Sequence, residues 1–150
     1  MELTADYNKD FYAWLIQSAD LLRKGQFAEL DIEHIAEELD AIGKSEKREL
    51  TNRLTVLFAH LLKWQYQAAL RSRSWKNTIL TQRIDIIELL EDSPSLQYDI
   101  IDKIAVAYEK ARLSAEDETG IDKSHFPEQC PYTLTLALTK DFFPEQEHNT

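Results

Sequence analysis

Residues 32–70 read "IEHIAEELDAIGKSEKRELTNRLTVLFAHLLKWQYQAAL". Apolar side chains recur through this stretch at steps of three and four, the spacing of one face of an α-helix. The pattern passes through Gly43 in phase, which favours one long helix over a break there and a new start at Ser45. From Leu54 onward most faces are apolar, as is typical of a central helix. The recurring positions are Ile35, Leu39, Ile42, Glu46, Leu50, Leu54, Leu57, Leu61, Trp64 and Ala68.

Shorter helices are predicted on both sides of this stretch. A first helix is expected over about residues 8–24, with Gly25 in the left-handed position that follows a helix end. Ser74 is the predicted cap of a third helix. Ser93 and Pro94 are the predicted cap and first residue of a fourth helix.

The C-terminal region adds one more short element. Gly120 is expected to end the fourth helix, and Pro131 to open a short last helix. The polar tail after Pro144 is expected to fray. The sequence therefore predicts an all-α, antiparallel up-and-down bundle of four main helices, with one long central helix and a short C-terminal helix. We expect a single domain over residues 1–150, with its core at about 7–143.

Length and composition fit one domain of ordinary size. The chain has 150 residues, 43% of them hydrophobic, and a domain of this length buries about 70% of its unfolded surface. The single cysteine, Cys130, excludes an internal disulfide and favours a reducing cytoplasm. The N-terminus lacks the basic start of a signal peptide, and no apolar run approaches the ~20 residues of a membrane span. We therefore expect a cytoplasmic protein without a membrane segment.

The charges are distributed unevenly along the chain. The net charge is −10, which argues against indiscriminate nucleic-acid binding. Residues 51–84, however, contain six bases and no acid, whereas the remaining residues have 27 acids against 11 bases. This basic island is expected to pair with the protein's own acids, or alternatively to meet an acidic partner.

An ordered series of segments resembles a known family. The segments are "DFYAWLIQSADLLRKGQFAELD", "EELDAIGKSEKREL", "RLTVLFAHLLKWQYQ", "SWKNTILTQR", "SPSL" and "FPEQCPYTL". They are similar to the bacterial family described as domain of unknown function 29, found chiefly in cyanobacteria, over roughly residues 7–144. The resemblance implies a helical bundle; it implies no activity and assigns no catalytic residue.

A line of polar residues is the first candidate site. At 100° per residue, six of them fall in one sector of the long helix, at the edge of its apolar stripe. Polar groups on a largely buried helix must find partners, so the first interpretation is an internal network that fixes helix register. The six residues are Glu46, Glu49, Arg53, His60, Gln67 and Arg71.

The same line also allows a catalytic alternative, RNA cleavage. Arg53 and His60 are separated by six residues, which matches the arginine–histidine spacing of the nucleotide-binding helical bundles found in higher eukaryotes and prokaryotes. In an RNA-cleaving site of that kind, arginine would hold phosphate and histidine would act as acid or base, with Glu49 and Glu46 as further candidates.

Metal and thiol chemistry are weaker predictions. A carboxylate metal site in a four-helix bundle uses Glu-x-x-His, which the sequence lacks. Asp31 precedes His34 by three residues but is better placed as a helix cap. We therefore predict no metal and no cofactor. Cys130 follows His125 by five residues, without the flanking residues that orient a nucleophile.

The segment "RSRSWKNT" is the second candidate site. Arg71, Arg73, Trp75 and Lys76 combine cations with an indole, a combination that binds phosphate or RNA. The same combination also forms tight corners between helices, where it pairs with acids such as those of "SAEDET".

These observations favour a non-catalytic helical interaction or adaptor protein, acting as a homo-oligomer or with a protein partner. An RNA-binding or RNA-cleaving bundle is the alternative, and a metal-dependent enzyme is the third reading.

Overall fold

The computed structural model describes residues 5–145, which form five α-helices and no β-strand. This confirms the all-α prediction with four main helices, a long second helix and a short last one. The helices are α1 (Phe11–Arg23), α2 (Ile32–Tyr66), α3 (Arg73–Asp92), α4 (Ile100–Thr119) and α5 (Leu134–Ala137). Short 3₁₀ turns lie at Phe27–Glu29, Ala68–Leu70, Pro94–Gln97 and Lys123–His125. The expected frayed tail lies, from residue 146, outside the described residues.

Contacts divide the chain into two compact units, Met1–Glu46 and Lys47–Thr150. The division falls inside α2, so the N-terminal unit contains α1 and the first half of α2. The C-terminal unit contains the second half of α2 together with α3, α4 and α5. That the whole chain is one bundle domain stays a prediction.

The long helix α2 is continuous through Gly43, as the apolar pattern favours. It ends at Tyr66 rather than near Leu70, and a 3₁₀ turn follows. The end is stabilised by Arg71, whose Nε donates to the Trp64 carbonyl over 2.7 Å. A cation at the carbonyl end of a helix satisfies a group that the helix leaves without a partner.

The core of the C-terminal unit is built on the second half of α2. Leucines and a phenylalanine on several of its faces have no solvent exposure: Leu50, Leu54, Leu57, Phe58, Leu61 and Leu62. Ile79 and Ile86 of α3 are equally buried. On α4 the buried row is mostly alanine, at Ala107, Ala111 and Ala115. These alanines belong to the same core cluster as the buried leucines of α2.

Pairs of contacts give the helix directions inside the C-terminal unit. Arg53 of α2 meets Asp85 of α3, while Lys63, further along α2, lies over Trp75 at the start of α3. These two helices are therefore antiparallel. Phe58 contacts Tyr108 and Lys63 pairs with Glu118, so α2 and α4 run parallel. The order along the unit is up, down, up, as expected for an up-and-down bundle.

Two helix starts differ from the prediction because a different residue makes the cap. Helix α1 begins at Phe11, since the Asp10 side chain accepts from the Ala13 N–H. Helix α3 is capped by Ser72 and not by Ser74. Ser72 has extended backbone and its hydroxyl accepts from the Trp75 N–H over 3.1 Å. A cap residue needs that non-helical backbone, which the residue type alone does not reveal.

The start of α4 was also predicted wrongly. Ser93 and Pro94 open the 3₁₀ turn and not the helix. The chain then passes through Asp99 in the left-handed conformation, with φ 55°, before α4 begins at Ile100. Gly120 ends α4 with φ 75°, as predicted.

The last helix spans only four residues, fewer than its pattern indicates. It starts late because Thr133, and not Pro131, is at its start and caps it. The chain after it is held by one buried arginine. Arg83 of α3 is 3% exposed and donates to three carbonyl oxygens, those of Ala137, Lys140 and Phe142, over 2.7, 3.2 and 2.6 Å. Its guanidinium also lies over the Phe143 ring at 5.4 Å. One side chain thereby fixes the C-terminal segment to α3.

We predict that Arg83→Met lowers the free energy of unfolding by about 3 kcal/mol, because it removes three charge-assisted hydrogen bonds from a buried site. Urea denaturation of the full chain measures the loss. Arg73→Met, at an exposed position on the same helix, is the matched control and should change stability by less than about 0.5 kcal/mol. Equal losses in the two variants would contradict the role assigned to Arg83.

Candidate functional sites

The polar residues predicted to lie in one line along α2 contact different partners and do not form one network. Arg53 Nε donates to Glu49 Oε1 over 3.0 Å, and its Nη1 donates to Asp85 Oδ2 over 2.9 Å. The Arg53 side chain is 30% exposed and its guanidinium is held by carboxylates on two helices. Asp85 was missed by sequence reasoning, although it is the first acid after the acid-free window. Glu46 is half-buried and belongs to the other compact unit.

His60 lies apart from this ion-pair cluster. The residue is half-buried, and its Nδ1 hydrogen-bonds the Val56 carbonyl over 2.8 Å. Burial lowers the pKa of His60 below its ordinary value, and nearby Lys63 lowers the pKa further. The imidazole is therefore neutral at pH 7. Seven residues of helix place it roughly 10 Å along the axis from Arg53.

The last two residues of the polar line, Gln67 and Arg71, donate hydrogen bonds to backbone carbonyl groups. Gln67 Nε2 donates to the Thr119 carbonyl over 3.3 Å, which links the ends of α2 and α4. Arg71 donates to the Trp64 and Pro144 carbonyls and lies 4.9 Å from the Trp64 ring. These contacts stabilise helix ends and the C-terminal segment.

The second candidate site, around Arg71, Arg73, Trp75 and Lys76, also includes a buried lysine that the sequence did not single out. Lys63 is 6% exposed, pairs with Glu118 at 2.5 Å and lies 4.9 Å from the Trp75 ring. Glu118 belongs to "SAEDET", whose acids were expected to meet the basic island. Arg73 and Lys76 are exposed, and Lys76 lies 6.0 Å from the Phe143 ring. Of the four predicted binding residues, Arg71 and Trp75 thus contact the protein itself, Lys76 is exposed but lies near Phe143, and Arg73 is exposed.

An aromatic cluster organises the N-terminal unit. The Tyr7 ring stacks on His34, with centroids 4.0 Å apart, and its hydroxyl donates to Glu38. This bond, followed by burial, raises the pKa of Tyr7 to about 12. His34 Nδ1 hydrogen-bonds Asp31, which raises the pKa of the imidazole and lowers that of the carboxyl. Trp14 packs edge-on against both rings. The sequence showed Asp31 and His34 but gave no signal that Tyr7 would join them.

The same unit exposes an unusual amount of apolar surface. Its buried residues on α1 are Trp14 and Ser18, and the first half of α2 has none. The stripe on this half of α2 was expected to be part of a core-facing row, yet Ile32, Leu39 and Ile42 are 68%, 64% and 58% exposed. The other exposed large side chains of the unit are Phe11, Tyr12, Leu15, Ile16, Leu22 and Phe27.

Cys130 shows no sign of activation. Its Sγ donates to the Tyr132 carbonyl over 3.3 Å, and burial raises the pKa of the thiol to about 11. His125 lies exposed on a 3₁₀ turn. Among residues 5–145, no three His, Cys, Asp or Glu side chains are grouped so that they can hold a metal ion. Within the same range, no helix combines the length and hydropathy needed to cross a membrane.

Comparison with known proteins gives a family. The model of the family described as "Domain of unknown function DUF29" matches residues 7–143. The chain belongs to the DUF29 family. This match confirms the resemblance drawn from the ordered segments, and it spans both compact units of this DUF29 protein. Searches of curated proteins and of solved structures give no significant match.

Two histidines of this DUF29 protein, His34 and His60, should have pKa values shifted in opposite directions from the ordinary value of about 6.5. We predict a pKa above 6.5 for His34 and below 6.5 for His60, measured by NMR of the imidazole resonances. Because the His34 pKa is raised in the folded state, the interaction stabilises the N-terminal unit below pH 6.5. That stability is lost as the pH rises through the folded pKa.

Asp31→Asn is the matched variant for this titration. Asparagine keeps the capping oxygen for the start of α2 but removes the carboxylate beside the imidazole. The His34 pKa should fall toward 6.5 in the variant, and that of His60 should not move. A His34 pKa that is unchanged in the variant would refute the assigned cause.

Proposed function

We propose that this DUF29 protein is an interaction protein whose N-terminal unit binds a basic amphipathic helix of a protein partner. The observation that carries the proposal is the exposed row on the first half of α2. Ile32, Ile35, Leu39 and Ile42 recur at steps of three and four, and three of them are more than half exposed. This spacing is the seam that a helix presents to a docked helix.

Small residues beside the row support a helical occupant. Ala36 and Gly43 are exposed and lie one heptad apart on α2. A mid-helix glycine costs about 1 kcal/mol relative to alanine, and nothing lies within 4 Å of where a Gly43 Cβ would be. The fold of the chain itself thus gives no packing reason for this glycine. Close approach of another helix supplies one.

The net charge of the N-terminal unit indicates which kind of helix would dock on the exposed row. Residues 1–46 contain eleven acids and four bases, a net charge of −7. Opposite charge on a partner steers encounter and fixes orientation, and like charge penalises a wrong partner. A second copy of this unit would bring −7 against −7. A partner helix with an apolar face and Lys or Arg beside it fits both features of the surface.

The polar line supports a non-catalytic interpretation of the other unit. Arg53 is engaged by Glu49 and Asp85, and His60 is neutral, half-buried and bonded to its own helix. These contacts favour a structural network over phosphate binding. RNA cleavage, metal-dependent catalysis and cytoplasmic location stay predictions from the sequence.

The test uses a pair of synthetic helical peptides with one leucine seam, flanked by lysine in one peptide and glutamate in the other. We predict that the lysine peptide binds the full chain in a salt-dependent manner, measured by fluorescence anisotropy, and that the glutamate peptide does not. The double variant Leu39→Gln/Ile42→Gln should weaken binding by about tenfold or more. Ile84→Gln/Ile87→Gln, on the exposed side of α3, is the matched control and should bind normally.

A second variant separates docking from folding. Gly43→Leu improves helix propensity and meets open space in the free protein, so it should not lower thermal stability. It should still weaken binding of the lysine peptide, because the new side chain occupies the approach of the partner helix. Equal binding of both peptides would overturn the proposal. A concentration-dependent dimer in sedimentation, lost in the Leu39/Ile42 variant, would also overturn it in favour of a second copy.

A further inference from the structure

A cavity in the C-terminal unit is separate from the surface proposed above. It lies between α4 and the segment 128–134, which ends at the first residue of α5, and its volume is about 710 Å³. Sites for small molecules occupy roughly 300–1,000 Å³ and are mostly apolar. The size and position of this cavity therefore fit a small ligand.

The walls of the cavity are largely apolar, and the hydroxyls of its two tyrosines are already used by the protein, whereas the buried Arg112 Nε has no hydrogen-bond partner. Its lining includes Ile104 of α4, Leu134 of α5 and the side chains of Tyr108 and Tyr132. The Tyr108 hydroxyl donates to the Pro127 carbonyl over 2.5 Å, and the Tyr132 hydroxyl donates to Gln65 Oε1 over 3.1 Å. The walls offer a ligand contact area more than hydrogen bonds.

Two titratable groups of the lining, the Tyr108 phenol and the Cys130 thiol, stay uncharged at neutral pH. Burial raises the pKa of the Tyr108 phenol above its ordinary value, and it raises that of the Cys130 thiol to about 11. Both groups therefore stay mostly protonated, so the thiol of Cys130 reacts only slowly at pH 7 and serves as a contact in the wall. A charged group that entered deeply would lose its hydration without gaining a counter-charge.

Ionised side chains in the lining have an excess of negative charge. Glu109 and Glu128 provide two carboxylates, against one guanidinium from Arg112. Both glutamates are exposed, whereas Arg112 is half-buried and donates from Nη2 to the Lys123 carbonyl over 3.0 Å. One donor of the only guanidinium in the lining is thus used in a hydrogen bond within the protein. This balance penalises an anionic ligand and favours a neutral or cationic one.

We propose that this cavity binds a small apolar molecule, either uncharged or carrying one cationic group that lies near Glu109 and Glu128. The apolar body lies between α4 and segment 128–134, against Ile104, Tyr108 and Leu134. The site is independent of the helix-docking surface, since it involves residues of the C-terminal unit only.

Two fluorescent probes that share a ring system test the charge preference. Phenylnaphthylamine is neutral, and anilinonaphthalene sulfonate adds one negative charge to the same skeleton. We predict that the neutral probe binds the full chain about tenfold more tightly than the sulfonate, because the sulfonate meets the carboxylates. Tighter binding of the sulfonate would overturn the proposed ligand class.

Cys130 reports whether the probe binds in the cavity itself. It is the only cysteine of the 150 residues, so alkylation by a maleimide follows this position alone. A saturating concentration of the neutral probe should slow the alkylation several-fold. An unchanged rate would show that the fluorescence comes from another apolar surface, and the proposal would fail.

A filling variant gives the matched control. Ala105 is exposed and lines the cavity, so Ala105→Trp should fill the space and abolish both the fluorescence and the protection of Cys130. Val106, the next residue along α4, is 48% exposed and does not contribute to the lining. Val106→Trp should retain both signals. Retention of both in Ala105→Trp would overturn the proposal.

Discussion

The burial of the second half of α2 is the constraint on which the C-terminal unit depends. Leu50, Leu54, Phe58 and Leu61 have no solvent exposure, so neighbouring elements must cover several faces of one helix. Buried residues of α3, the alanine row of α4, and Phe126 and Tyr132 of the loops belong to the same core cluster, and the two loop rings contact Tyr66 and Phe58 of α2. A helix that is apolar nearly all round has no stable alternative to this central position.

The apolar pattern was sufficient to predict the helices but not their ends. Steps of three and four extend over many residues, so α2 and its continuity through Gly43 were recoverable. A cap depends on the backbone angles of one residue, and Ser72 and Ser74 are equally good candidates by type. Asp99 is a stronger example, because its left-handed backbone at the start of α4 has no signal in its neighbours. The observed helix ends therefore differ from the predicted ones by a few residues, although each predicted helix is present.

Candidate sites were harder to predict, because a residue's partner on another helix is not encoded in spacing. Glu49 and Arg53 form a pair that their separation of four along the helix is enough to indicate. The second partner of Arg53, Asp85, lies 32 residues away, and the stacking of Tyr7 on His34 joins a loop to a helix. Burial was the other limit. The stripe of α2 is continuous in sequence, yet its first half is exposed and its second half is buried.

The acid-free window of the sequence has an architectural explanation that also bears on partners. Four of its six bases point at the protein: Arg53 and Lys63 at carboxylates, Arg71 and Arg83 at carbonyl oxygens. An acid placed among them would compete for those cations and leave buried acceptors without donors. Because these cations are engaged internally, the charge that the protein presents to solvent is mostly that of its acids. Attraction by this surface therefore selects positively charged partners, in agreement with the basic helix proposed for the seam on α2, while the cavity on α4 is proposed to disfavour anions.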